Sequence, residues 1–70
     1  MADLKTYQIS GVLQMAVPLD INRIEVEAYS IKQARFKLSF ELQKRFPQYQ
    51  FTIKDWMMAV KRARLSIREL

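Results

Sequence analysis

Glu25 and Glu27 stand two apart in the stretch RIEVEA, where a strand would place both carboxylates on one face. Such a pair can move protons or hold a hard metal ion, although on a strand it is more often an ordinary solvent face. The chain has no histidine and no cysteine. The usual zinc ligands are therefore missing, as are the common partners that activate a nucleophile. A single glycine is too few for glycine-rich phosphate loops or for the G-x-S-x-G nucleophile turn. These residues argue for a non-enzymatic protein with no cofactor and no metal.

The cations suggest different chemistry. The chain carries a formal net charge of +5, and the excess is uneven. Residues 1–29 hold Lys5 and Arg23 against Asp3, Asp20, Glu25 and Glu27. The bases Lys32, Arg35, Lys37, Lys44 and Arg45 face only Glu41 in residues 30–46, and the remainder is again basic. On a helix, Lys61, Arg64 and Arg68 would share an arc of about 60°. That arrangement suits the phosphates of RNA or DNA, although basic helix faces are commonly just solvated. A reader of single strands would also want exposed rings on its sheet. The predicted open sheet face carries Gln8, Ser10, Gln14, Glu25, Glu27, Gln50 and Thr52 instead.

A third group is apolar. Phe36 and Phe40 are four apart and lie about 140–180° from Ile31 on a helical wheel, flanked by Lys37 and Lys44. They point away from any sheet that the helix covers. A second helix, a second copy of the chain or another protein must shield them, because large apolar patches are unusual on a monomer. Met57, Met58 and Leu65 are further apolar residues off the main stripe of the second helix.

The elements that position these groups follow from periodicity. Tyr7, Ile9, Leu13, Met15 and Val17 alternate with polar residues, with Gly11 in the same register; this predicts a strand over 7–17 with a bulge or bend at Gly11. Pro18 to Asn22 reads as a turn. A second strand over 23–29 turns Ile24, Val26 and Ala28 inward. Ser30 is placed to cap a helix over 31–46, with Gln33 at the capping-box position. Ile31, Ala34, Leu38, Leu42 and Phe46 form its inner stripe, and Pro47 ends it. Tyr49, Phe51 and Ile53 alternate and predict a third strand over 48–53. Asp55 then caps a second helix over 56–68 with the stripe Trp56, Ala59, Val60, Ala63, Ile67 and Leu70.

The expectation is one α+β domain spanning residues 1–70, in the order β-β-α-β-α. Its three-stranded, mainly antiparallel sheet has strand order 2-1-3, with helices over one face. At this length one core is only marginally stabilising, which favours self-association. MADLKTYQ lacks the regions of a signal peptide and no apolar run approaches a membrane span, so a soluble cytoplasmic protein is expected. Trp56, Met57 and Met58 at the start of a basic amphipathic helix would suit a membrane surface or a partner groove, but core packing is the simpler use. The functional expectation is an interaction module, a homodimer or a subunit of a larger assembly, using Phe36, Lys37, Phe40 and Lys44. The alternative is a basic accessory protein touching nucleic-acid backbone through Lys61, Arg64 and Arg68.

Overall fold

A computed structural model describes residues 3–70. Strand β1 covers Lys5–Leu13 and β2 covers Leu19–Ala28. Tyr7, Ile9 and Leu13 of β1 and Ile21, Ile24, Val26 and Ala28 of β2 are buried. The inward residues Ile21 and Ile24 are three apart, an odd spacing that a regular strand cannot place on one face. A bulge resolves it. Ile9 pairs with Ile24 and Gly11 with Ile21, so Asn22 and Arg23 together oppose Ser10. Arg23 takes φ 53°, and its N–H donates to Ser10 Oγ at 3.0 Å. The bulge expected near Gly11 therefore lies in the opposite strand. The first strand ends at Leu13, leaving Val17 exposed, and the second begins at Leu19; the turn occupies 14–18 rather than 18–22.

Helix α1 covers Ile31–Arg45. Ser30 Oγ accepts from the Gln33 N–H at 3.1 Å, as expected of the cap, whereas Gln33 Oε1 accepts from the Tyr29 N–H at 2.7 Å and not from the Ser30 N–H that a capping box would use. Ala34, Leu38 and Leu42 are buried, but Ile31 is exposed and does not join the inner stripe. The Phe46 N–H still bonds to the Leu42 carbonyl, after which Pro47–Tyr49 makes a 3-10 turn.

The expected third strand over 48–53 is absent. Gln50 sits in the left-handed region at φ 56°, and the rings of Phe46, Tyr49 and Phe51 converge on Trp56 with centroid distances of 4.9–6.2 Å. The alternation of Tyr49, Phe51 and Ile53 comes from this cluster and from the start of a helix. Helix α2 covers Ile53–Arg62, capped by Thr52 and not by Asp55. Thr52 Oγ1 accepts from the Asp55 N–H at 3.2 Å and Asp55 Oδ2 from the Thr52 N–H at 3.0 Å. Losing this reciprocal cap in Thr52→Ala is expected to cost about 1 kcal/mol, read as a lower midpoint in urea unfolding.

Strand β3, Arg64–Glu69, forms where the second helix was expected to continue. The order is therefore β-β-α-α-β. The sheet is three-stranded and antiparallel, in the order β2-β1-β3. Arg64–Glu69 becomes a strand because it satisfies the second edge of β1. It lays Ile67 beside Ile9 and Leu65 beside Gly11, and the Leu70 N–H reaches the Thr6 carbonyl at 2.8 Å. Both helices cover one face of the sheet, where Ile9, Leu13, Leu38, Leu42 and Trp56 are fully buried. At the end of the β1–β3 pair, Lys5 Nζ meets Glu69 at 3.1 Å. That hydrogen bond, with the carboxylate charge, raises the Lys5 pKa. Its small stabilisation is present at neutral pH and is lost as pH rises through the lysine range.

Candidate protein interface

The seam between α1 and α2 is closed at one end and open at the other. At the closed end, Gln43 Nε2 donates to the Phe51 carbonyl at 3.4 Å, beside the aromatic cluster. At the other end the first half of α1 and the second half of α2 leave a cleft of about 500 Å³. Phe36, Met57 and Val60 give it an apolar floor, and Lys32, Arg35 and Lys61 stand around it. Ser39 is buried at the seam, its hydroxyl donating to the Arg35 carbonyl at 3.4 Å.

Phe36 extends this floor outward. Its ring packs edge-to-face on Phe40, with centroids 5.1 Å apart and planes at 66°. Both rings remain 47% exposed. Met57 at the cleft and Met58 farther round α2 are also exposed. Helix α2 thus reaches the margin of the phenylalanine pair and does not cover it. Such rings form a good anchor for another protein: large, apolar and already ordered by each other.

The flanking lysines behave differently from the phenylalanines. Lys44 is exposed, but Lys37 Nζ donates to the Glu27 carbonyl at 2.7 Å. The reason lies in the sheet. Thr6 uses its carbonyl toward β3, so its partner Glu27 is not hydrogen-bonded toward β1 and its carbonyl faces the free edge of β2. Lys37 takes that acceptor and shields the edge.

The proposed phosphate-binding trio is divided. Lys61 lies on α2 at the cleft, whereas Arg64 and Arg68 are on β3. Their strand positions put these arginines on the open sheet face, about 13 Å apart, with Arg68 beside Gln8 and Arg64 beside Val12. Glu25 and Glu27 are exposed on β2 at the other side of the sheet, beside Gln8 and Thr6. The open face is acidic along one edge and basic along the other, not uniformly attractive to phosphate. Among the described residues no group of three acidic, histidine or cysteine side chains could hold a metal ion, and no helix is long and apolar enough to cross a membrane.

Sequence reasoning located the phenylalanine pair and noted Met57 as spare, but it missed Lys32 and Arg35. Helical spacing sets Lys32 about 40° from Phe36, yet only the position of α2 makes the space between them a cleft. Compared with protein-family models, curated proteins and solved structures, the chain matches none.

Proposed function

We propose that this chain is a non-enzymatic interaction module that works through the outer face of α1 and α2. It pairs with a second copy when isolated, and serves as a subunit of a larger assembly when a partner is present. The observation that carries this reading is the Phe36–Phe40 pair, ordered edge-to-face yet 47% exposed on each ring. Covering the exposed half of both rings contributes about 2 kcal/mol in total from apolar burial. Met57 and Met58 add adaptable apolar surface. The rings alone do not offset the cost of association, so pairing needs the surrounding apolar surface as well and is weak, not that of an obligate dimer.

The test is molar mass by light scattering as concentration rises. Wild type should climb from 8.4 kDa toward twice that value. The Phe36→Asp, Phe40→Asp double variant should stay at the single-chain mass while keeping its circular dichroism spectrum, because both side chains point away from the sheet. A wild type that remains monomeric at every concentration would remove the homodimer.

A further inference from the structure

We propose that the α1–α2 cleft takes an acidic amphipathic helix from a partner protein, in preference to a second copy of this chain. The inference rests on reading this face as an interface and names the chemistry of its better occupant. Lys32, Arg35 and Lys61 line the cleft and no acid does. Among the described residues the ion pairs are Lys5–Glu69 and Glu41–Arg45, so these three cations are left without a carboxylate. Their floor, Phe36, Met57 and Val60, is apolar.

A two-fold contact brings the same patch onto itself. With two α1 helices antiparallel and Phe36 of one against Phe40 of the other, Lys32 falls level with Lys44 and Arg35 with Glu41, but each chain brings a formal net charge of +5. A second copy therefore gains the apolar contact and meets like charge. A nucleic-acid backbone would satisfy the cations and leave the apolar floor wet. A helix with apolar side chains at i, i+3, i+4 and i+7 and acids beside them satisfies both, in the helix-in-groove manner. α1, at 15 residues, offers a groove wall about 22 Å long.

The two occupants respond to salt with opposite sign. Screening weakens the attraction of an acidic helix to the cleft, and it relieves the repulsion between two copies. The full chain is titrated with three fluorescent probes: a peptide about as long as α1 with leucines at helical spacing and glutamates elsewhere, the same peptide with lysines for glutamates, and a single-stranded oligonucleotide. The glutamate peptide should bind, shift the Met57 methyl signal and dissociate the homodimer, and the lysine peptide should not. Lys32→Glu with Lys61→Glu should weaken binding about tenfold or more, whereas Arg64→Glu with Arg68→Glu on the far face should change it less than about twofold. Each variant keeps the wild-type circular dichroism spectrum, since all four residues are exposed.

Equal binding of both peptides, no shift at Met57, or displacement of the peptide by the oligonucleotide would overturn the inference. If no peptide binds while the phenylalanine double variant still breaks the homodimer, this inference falls and the interface stands. If the chain neither pairs nor binds peptide, both fall.

Discussion

Trp56→Ala is expected to unfold a large share of the molecules at room temperature. The indole is fully buried and packs on Phe46, Tyr49 and Phe51 with centroids 6.2, 5.6 and 4.9 Å away. Emptying such a site costs about 3–5 kcal/mol. A single core in a domain of this size supplies only about 3–5 kcal/mol of stability. The loss also reaches the proposed interface, because Trp56 seats the start of α2 and so fixes Met57 and Lys61 across from α1. Trp56→Phe separates packing from polarity. Its ring keeps most of the contacts, and the indole Nε1, buried without an acceptor, is removed along with its desolvation cost. That variant should lie within about 1.5 kcal/mol of wild type. Both are read from urea unfolding followed by far-ultraviolet circular dichroism, since the chain has one tryptophan and its fluorescence vanishes in either variant. An alanine variant as stable as wild type would mean that the cluster is not the anchor of α2.

Gly11→Ala should be nearly as damaging, by a different route. Gly11 has φ 155°, and an added Cβ would collide with the Arg64 carbonyl oxygen and press on Leu65 Cδ2 at 3.0 Å. The obstacle is backbone of the neighbouring strand, which cannot rotate away as a side-chain tip can. The expected cost is about 2–4 kcal/mol, from backbone strain and overpacking together. It should fall first on β3. In hydrogen exchange the Leu70 amide, bonded to the Thr6 carbonyl, should lose protection before the amides of α1 do. Unchanged protection at Leu70 would show that β1 and β3 can part enough to admit a methyl group at no cost.

The same glycine shows how much of the fold was legible beforehand. Its place in an alternating strand marked an irregularity, and the hairpin and the Ser30 cap follow from local pattern; the central position of β1 follows from the preference for antiparallel neighbours, although the strand beside it is Arg64–Glu69 and not 48–53. The odd spacing of Ile21 and Ile24 could have located the bulge in β2. The second half was misread for a physical reason. Ala59, Val60, Ala63, Ile67 and Leu70 fit a helical stripe, while Leu65 and Ile67 equally fit a strand, and no glycine or proline separates the two. The choice is made by β1, whose unpaired edge needs a partner, and not by the propensity of Arg64–Glu69. Tyr49 and Phe51 misled in the opposite sense. Their alternation belongs to rings gathered around Trp56, beside a left-handed Gln50 that no regular strand would hold.

The proposed interface could be read from the sequence where it depends on one helix and not where it depends on two. Phe36 and Phe40 are separated from the inner face of α1 by helical geometry alone. The cleft beside them exists only because α2 packs against that end of α1, and Lys37 leaves the patch only because the Glu27 carbonyl lies free at the edge of β2. Lys61, Arg64 and Arg68 share a face only on one continuous helix; the strand that begins at Arg64 sends the two arginines to the opposite side of the sheet.

If the Phe36–Phe40 face is where this chain meets another protein, two copies in solution should touch there. The most direct measurement mixes isotope-labelled and unlabelled chains and records only the nuclear Overhauser contacts that pass between copies. Contacts are expected from the Phe36 and Phe40 rings and the Met57 methyl group to a neighbouring copy, and they should be lost in the Phe36→Asp, Phe40→Asp variant. Contacts between copies that arise along β2 or β3 and leave both rings silent would contradict this.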